Sequence, residues 1–238
     1  MKILVIGDSC VDKFIYCIIN RICPEAPVPV LQPVNEVINP GMAGNVAANL
    51  KALGADIDLI TNDESIKKTR FVDIKSNQMI MRLDENDNCK HVSILYWHLD
   101  DYDAIVISDY CKGFLKEDDI TTIALQAKCP IFLDTKKKLG SWCKNIDFIK
   151  INKPEGNNNS HYKGNNIIVT DGKNGATYKN IHYPVNKEVL IKDVSGAGDT
   201  FLSGLVVKYL ENKNIKESII FANECAAKVV QKRGVTTI

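Results

Sequence analysis

The stretch ILVIGD, residues 3–8, sets the fold class, because an apolar run of β-favouring residues ends abruptly in an acidic side chain. The same pattern returns at AIVISD (104–109), PIFLD (130–134), FIKIN (148–152) and IIVT (167–170). Short, uniformly apolar strands are typical of a parallel sheet that is buried on both faces, and helical patterns lie between several of them. We therefore predict an α/β protein with a central, mostly parallel sheet flanked by helices.

Two helices are predicted with definite ends. Residues 43–53 and 216–232 carry helical apolar patterns, and they end near Gly54 and Gly234, as helices commonly do. Both helices are expected to pack on the sheet.

Two other stretches, at about 14–38 and 69–84, do not follow the strand–helix alternation. Within the second, QMIMRL alternates apolar and polar residues with a period of two. We predict that both stretches form a small β-sheet lid, that the polar segment 156–166 is a solvated loop, and that residues 1–238 form a single domain.

The composition excludes several classes of protein. The 30 lysine and arginine residues nearly balance 29 aspartate and glutamate residues, and the net charge of +1 gives no support to nucleic-acid binding. No apolar run is long enough to span a membrane, and the N-terminal run is too short for a signal peptide. A cytoplasmic protein is expected. The eight cysteines are scattered without a metal-binding spacing, so reduced, buried thiols are expected.

The stretch DVSGAGDTF, residues 193–201, combines a glycine turn, an aspartate and the start of an apolar helix. Exposed N–H groups at a helix N-terminus bind anions, and glycine allows a phosphate to approach the backbone closely. An aspartate beside bound phosphate would be repelled unless it accepts a proton from an attacking hydroxyl, which is a role for Asp199. The alternative is that Asp199 merely caps the helix. The spacing matches neither the Rossmann nor the P-loop pattern.

The same stretch resembles the D-T-x-G-A-G-D signature of the ribokinase-like (PfkB) sugar kinases. The resemblance extends in order along nearly the whole chain, and it is strongest to the kinase half of the bifunctional ADP-heptose synthesis enzymes. The runs that carry it are NRICPEAPVPVL (20–31), PGMAGNVAANLKALGA (40–55), NQMIMRLD (77–84), ISDYCKG (107–113) and FANECAAKVVQKRGVTTI (221–238). It implies a ribokinase-like fold and ATP-dependent phosphorylation of a sugar, with O1 of D-glycero-D-manno-heptose 7-phosphate as the first candidate. Another small sugar or sugar phosphate is the alternative.

The resemblance also implies roles for individual residues. It makes Asp199 the catalytic base, with the backbone of Gly196, Ala197 and Gly198 as an anion hole. The residues expected to bind the sugar or its phosphate are Asp12, Gly41, Asn45, Arg70, Arg82, Asp109 and Lys112. The alternative for Asn45 is a helix cap, and the alternative for the three cations is ordinary pairing with nearby acids.

On the nucleotide side, the resemblance implies that Asn152 and Glu155 help to hold Mg²⁺ beside ATP, a plain turn being the alternative. The residues expected to contact the nucleotide are Thr170, Gly172, Gly175 and Asn223. Asp134 also matches a family position, and its role stays open.

The chain departs from the family pattern in ways that bear on substrate and assembly. Three stretches are short: after residues 59–63, between Asp84 and Asp103, and after Glu155. Such losses expose apolar sheet surface unless a partner covers it. The lid strands also offer edges that can pair with a second copy, so a homodimer through the lid is expected. Met42 stands where the family carries glycine, which leaves the sugar open. No H-x-G-H motif follows, so the second activity of the bifunctional enzymes is expected to be absent. A non-catalytic sugar- or nucleotide-binding relative is the second reading.

Overall fold

The computed structural model describes residues 1–94, 98–186, 189–232 and 234–238; residue 233 of the C-terminal run quoted above lies outside these ranges. The strands, in chain order, are β1 (Lys2–Gly7), β2 (Ser9–Ile18), β3 (Gln32–Met42), β4 (Asp56–Ile60), β5 (Lys67–Asp73), β6 (Met79–Glu85), β7 (Ala104–Asp109), β8 (Ile131–Thr135), β9 (Phe148–Asn152), β10 (Ile167–Thr170), β11 (Ala176–Tyr178) and β12 (Ile181–Tyr183). The α-helices are α1 (Ala43–Ala52), α2 (Glu117–Gln126), α3 (Lys153–Asn158), α4 (Ala197–Asn212) and α5 (Ile215–Val229).

Eight of these strands form a central sheet in the order β12-β11-β10-β9-β8-β7-β1-β4. The pairs from β4 to β10 are all parallel, and only β11 and β12 are antiparallel additions at one edge. The predicted α/β class and mostly parallel sheet are confirmed. All five apolar runs of the sequence became neighbouring strands, so their polar ends meet at one edge of the sheet.

Alternate residues of β1 enter two separate cores. Ile3 and Val5 pack with α1, α4 and α5 on one face, whereas Leu4 and Ile6 pack with α2 on the other. These four residues are at most 1% exposed. A strand buried on both faces has no position for a polar residue until it ends, which explains the uniform apolar runs.

The second sheet is the predicted lid, with the order β3-β2-β5-β6. The predicted bounds 14–38 and 69–84 need correction, since β2 begins at Ser9 and β3 runs to Met42. Between them, the three prolines in 19–31 remove backbone donors, and the only β-pairing described there is an isolated bridge between Ile22 and Pro29.

Gly7 makes the passage from the central sheet into the lid. Its φ is 154°, and a Cβ at this position would lie 1.8 Å from the carbonyl oxygen of Ser108. Only glycine fits so close an approach between β1 and β7. The lid therefore starts directly from the edge of the sheet where ligands bind in parallel α/β proteins.

Two other local predictions change. The C-terminal helix is α5, which begins at Ile215 because the side chain of Asn214 caps it, and which ends at Val229. The predicted loop 156–166 starts inside helix α3, which a proline in its first turn and a capping box stabilise.

All eight cysteines are free thiols, but only four are buried, and Cys111 is exposed. Within the described ranges, no helix has both the length and the apolar character needed to cross a bilayer.

Candidate active site

A cavity of about 360 Å³ lies between the lid and the carboxyl ends of the central strands. The lid contributes Asp12, Lys68, Arg70 and Arg82, and the core contributes Tyr110, Lys112, Lys136, Gly196 and Asp199. The cavity thus brings together six of the predicted site residues, namely Asp12, Arg70, Arg82, Lys112, Gly196 and Asp199.

Asp199 is held from two sides inside this cavity. It is 5% exposed, and it lies in the first turn of α4, whose N-cap is Gly196 rather than an acidic side chain. The amide of Asn45 donates to one carboxylate oxygen and the hydroxyl of Tyr110 donates to the other, each at 2.8 Å. The helix-cap alternative is therefore wrong for Asp199. It is also wrong for Asn45, which lies inside α1 and is buried.

Burial raises the pKa of Asp199 from 3.8 to about 6. The hydrogen bond from Asn45 and the positive charge of Lys150 oppose this rise, whereas the charge of Asp134 adds to it and the hydrogen bond from Tyr110 opposes it. A carboxylate with its pKa near 6 is ionised at neutral pH and is still basic enough to take a proton.

The glycine turn leaves backbone donors free beside Asp199. Gly196 has φ 77°, and a Cβ there would lie 2.7 Å from the Asn45 amide. The N–H of Ala197 donates to the carbonyl of Val194, but among the described residues no acceptor is bonded to the N–H of Gly198 or Asp199. These two donors, at the positive end of a sixteen-residue helix, form an anion site.

A buried ion pair lies beside this turn. The ammonium of Lys150, on β9, donates to Asp134, on β8, at 2.6 Å, and both side chains are at most 5% exposed. Lys136 lies nearby, where it donates to Glu155 and is 3.8 Å from Asp134. Sequence reasoning missed both lysines. The available signal was the lysine in FIKI, which interrupts an otherwise apolar buried strand.

The cations expected to bind the sugar phosphate line the cavity, and each is paired with an acid. Arg70 donates to Asp12, whose carboxylate packs against Gly41 so tightly that a Cβ on the glycine would lie 2.4 Å from it. Arg82 makes a bidentate pair with Asp84 at 2.7 Å. Both arginines therefore pair with nearby acids, as the alternative expected, and both also line the cavity.

Lys112 and Lys68 share a single carboxylate, that of Asp87. Lys68 lies on β5 and is 6% exposed, although sequence reasoning did not single it out. Asp87 therefore connects the lid strand to the loop after β7. A phosphate bound in this cavity would compete with the carboxylates for these ammonium groups.

Asp109 is not among the residues that line the cavity. It is 1% exposed, and its carboxylate accepts hydrogen bonds from Lys137 at 2.7 and 2.8 Å and from Thr135 at 2.7 Å. In this arrangement Asp109 fixes the loops after β7 and β8 rather than facing the cavity.

A second cavity of about 560 Å³ lies on the other side of the glycine turn. Its wall includes Gly172, Ala197, Asn223 and a largely apolar surface that contains Phe201 and Ala227. Asn223 is anchored by donating to the carbonyl of Tyr183 at 2.9 Å. The N-terminus of α4 thus lies between the two cavities, with Gly196 and Asp199 lining the first and Ala197 lining the second.

The two other residues predicted for the nucleotide side do not line this cavity. Thr170 donates to the carbonyl of Ile151, and Gly175, with φ 91°, lies against the carbonyl of Tyr183, where a Cβ would be 2.1 Å away. Both positions shape the turn after β10 rather than the cavity wall.

Asn152 and Glu155 form a capping box at the start of α3. The backbone N–H of Asn152 donates to Glu155 at 2.8 Å, and the N–H of Glu155 donates back to the Asn152 side chain at 2.9 Å. This replaces the plain-turn alternative. Within the described residues, no group of three or more histidine, cysteine or acidic side chains is placed to hold a metal ion.

Comparison with known proteins agrees with this geometry. Residues 59–238 match the family described as pfkB family carbohydrate kinase. The bifunctional protein HldE of a Nitratiruptor species is 30% identical over 294 residues, covering 99% of this chain and 63% of that protein. The chain therefore spans about 63% of the length of this relative. The alignment is longer than the chain's 238 residues, which indicates segments that the chain lacks.

The fold is similar to solved ribokinases. A ribokinase from Thermotoga maritima superposes with a TM-score of 0.73 at 17% identity, covering 98% of this chain and 94% of that one. A ribokinase from Cryptococcus neoformans var. grubii serotype A in complex with ADP gives 0.71 at 14% identity, covering 98% and 95%. The predicted ribokinase-like fold is confirmed. On the match over residues 59–238 and the 30% identity along nearly its whole length, the chain belongs to the pfkB family of carbohydrate kinases.

Proposed function

We propose that this kinase acts as one unit over residues 1–238 and transfers the γ-phosphate of ATP to O1 of D-glycero-D-manno-heptose 7-phosphate. The observation that carries the transfer reaction is the position of Asp199, a buried carboxylate of raised pKa beside two free backbone N–H groups at the N-terminus of α4. A base and an anion site are thus adjacent at the boundary of two cavities.

The mechanism follows from this adjacency. The sugar hydroxyl enters the cavity under the lid, and Asp199 accepts its proton as the oxygen attacks the γ-phosphorus. The bond from that phosphorus to the bridging oxygen of ATP breaks, and ADP leaves with the electron pair. The N–H groups of Gly198 and Asp199 donate to the phosphoryl oxygens, and Lys150 beneath the turn contributes positive charge.

The cations of the cavity support a phosphorylated sugar. Lys68, Arg70 and Arg82 from the lid and Lys112 from the loop after β7 line the same cavity as the base. With an unphosphorylated sugar in the cavity, these cations would stay paired with their carboxylates. A sugar that already carries a phosphate, away from the hydroxyl that reacts, offers them a ligand. The heptose assignment rests further on the similarity to proteins named HldE, of which this chain spans about 63%.

ATP and Mg²⁺ are proposed as donor and metal. The apolar wall of the 560 Å³ cavity, between Gly172 and Asn223, fits a nucleobase. Near the glycine turn, Glu155 and Asp134 flank the ammonium of Lys136, and one oxygen of Asp134 is buried without a hydrogen-bond partner in the described part of the chain. Hard oxygen donors around a cation suit Mg²⁺, so Glu155 and Asn152 are the proposed metal-side residues; the ion would neutralise charge on the phosphates.

A homodimer through the lid is part of the proposal. On the lid face away from the cavity, neighbouring strands place Ile15 beside Phe71 and Phe71 beside Met81. Ile38 is 57%, Met81 47% and Leu83 45% exposed. An apolar face of this kind favours association with a second copy. Light scattering is expected to give a dimer for the wild type and a monomer for Met81→Lys; a monomeric wild type would contradict the proposal.

The deciding experiment is ADP release from ATP and Mg²⁺ with a panel of sugars and sugar phosphates, for the wild type and Asp199→Asn. We expect turnover of heptose 7-phosphate and a loss of about 100-fold or more in the variant. Turnover of a different sugar would overturn the substrate and keep the mechanism. Nucleotide binding without turnover of any sugar would favour the non-catalytic reading instead.

A further inference from the structure

Tyr110 is fixed at both of its ends. It follows β7, and its backbone N–H donates at 2.7 Å to Asp8, a fully buried carboxylate at the end of β1. Its hydroxyl donates at 2.8 Å to Asp199. The Lys136 ammonium lies 5.2 Å from the centre of its ring. The phenol is therefore held against Asp199 by the central sheet itself.

We propose that Tyr110 is a positioning residue for the catalytic carboxylate, fixing the orientation of Asp199 and keeping it ionised when sugar occupies the cavity under the lid. The proposal rests on the assignment of Asp199 as the base. Asn45 holds the other oxygen, so the carboxylate has two directional donors in a site where it is almost wholly removed from water.

The charged and polar groups around Asp199 come from α1, the loop after β7, β8 and the loop that follows it, and β9, and the thiol of Cys10 on β2 also interacts with its charge. Asn45 donates from α1 and Tyr110 from the loop after β7, while Lys150 on β9 and Asp134 on β8 act through their opposite charges. Lys136, beyond β8, also interacts with the carboxylate electrostatically. Burial disfavours the ionised form, and each hydrogen bond to it works against that penalty. Loss of the phenol oxygen alone therefore makes Asp199 harder to ionise.

The arrangement still leaves room for substrate. Each carboxylate oxygen can accept more than one hydrogen bond, so a sugar hydroxyl can approach Asp199 while Tyr110 and Asn45 stay in place. With both oxygens already oriented, the proton is transferred to a fixed group rather than to a rotating one. Tyr110 touches the base and acts through it.

The test that needs no sugar is a ¹³C NMR titration of protein with labelled aspartate carboxyl groups. The Asp199 signal is identified by its loss in Asp199→Asn. We expect a midpoint near pH 6 in the wild type and a rise of about one pH unit in Tyr110→Phe. The matched control is Tyr102→Phe, which removes a phenol donating at 2.8 Å to Asp58 at an exposed site and is expected to leave the Asp199 midpoint unchanged.

A kinetic measurement separates positioning from a general structural role. With heptose 7-phosphate as substrate, the acidic limb of the kcat profile of Tyr110→Phe is expected to move up by the same amount as the NMR midpoint. On the acidic side of that limb, kcat of Tyr110→Phe is expected to be about tenfold lower than that of the wild type. By about pH 8.5 kcat largely recovers, and KM changes little. A merely displaced loop would lower kcat equally at every pH.

The outcomes are distinguishable. An Asp199 midpoint that is the same in Tyr110→Phe and the wild type overturns the inference, whatever the activity does. A raised midpoint with an unmoved kcat limb, or full activity of Asp199→Asn, overturns Asp199 as the base and with it the catalytic role of Tyr110. If Tyr110→Phe does not fold, the wild type grown with 3-fluorotyrosine replaces it; the more acidic phenol is expected to lower the midpoint, and an unmoved midpoint contradicts the inference.

Discussion

The ammonium of Lys150 lies directly beneath Gly198, 2.8 Å from the point that a Cβ on that glycine would occupy. Gly198 therefore has two roles, since its N–H has no acceptor among the described residues and its missing side chain leaves space for a lysine under the helix terminus. Asp134 holds the lysine in this place.

Gly198→Ala tests this relationship. The added methyl must push the Lys150 ammonium aside, which perturbs its pairing with Asp134 because both side chains are buried. We expect kcat to fall about 10- to 100-fold, since the donors and the charge beneath them lose their alignment with the phosphoryl group. Steady-state kinetics at saturating ATP and sugar measures it.

The control for this change is Gly156→Ala, where the new methyl would lie 3.4 Å from Val169, an ordinary contact. It is expected to keep kcat within about twofold of the wild type. Equal activity of Gly198→Ala and the control would mean that Lys150 can leave its place without effect.

The buried pair itself predicts a stability pattern. Lys150→Met leaves the Asp134 carboxylate buried with, of the described cations, only the more distant Lys136 beside it, so we expect a loss of about 3 kcal/mol in the free energy of unfolding. Replacing both members, Asp134→Leu with Lys150→Met, is expected to recover most of that loss because no charge stays unpaired. Urea unfolding of the two variants gives the comparison.

The opposite ranking, with the double variant less stable than Lys150→Met, would show that the charges stabilise the fold beyond their mutual neutralisation. In either case activity is expected to stay low in both variants, since each lacks the lysine beneath the anion turn.

The sheet was predictable because burial on both faces leaves a visible mark. β1, β7 and β8 have almost no polar residue before their last positions, and strands of that kind are typically internal and parallel. Asp199 and the glycines were equally visible, because the anion turn is local in sequence. The lid bounds were less visible, since prolines and exposed β-residues at 19–31 do not reveal where pairing stops.

What sequence could not provide is the pairing of side chains from distant strands. Nothing local indicates that Tyr110 donates to Asp199, 89 residues away, or that Asp109 turns toward Lys137 instead of the cavity. The Asn152–Glu155 pair shows a related ambiguity, because a capping box and a metal-side pair use the same residues at the same spacing. These contacts depend on which strands become neighbours.

The raised pKa of Asp199 predicts a cost in stability at neutral pH. The folded protein retains the carboxyl proton up to about pH 6, whereas the unfolded chain loses it near 3.8, so the free energy of unfolding falls as pH rises through this window. Asp199→Asn removes that titration. The stability of the variant relative to the wild type is therefore expected to increase by about 3 kcal/mol between about pH 3.5 and pH 7.

This difference is measured by urea unfolding of both proteins at several pH values. Hydrogen bonds that the amide changes at Asn45 or Tyr110 shift the difference equally at every pH, so only its slope reports the titration. A flat difference across the window would mean that Asp199 titrates as it does in the unfolded chain.

The cavity proposed for ATP predicts that a bulky substitution in its wall weakens ATP binding selectively. Ala227 lies on α5 and lines the 560 Å³ cavity with Ala226 and Asn223. Ala227→Trp places a bulky ring in the space proposed for the nucleobase, so the KM for ATP is expected to rise about tenfold or more while the KM for the sugar changes little. The control is Glu224→Trp. Glu224 follows Asn223 on α5, but it is exposed and does not line the cavity, so both KM values are expected to stay near those of the wild type. A raised KM for the sugar with an unchanged KM for ATP would place the nucleotide elsewhere and reverse the assignment of the two cavities.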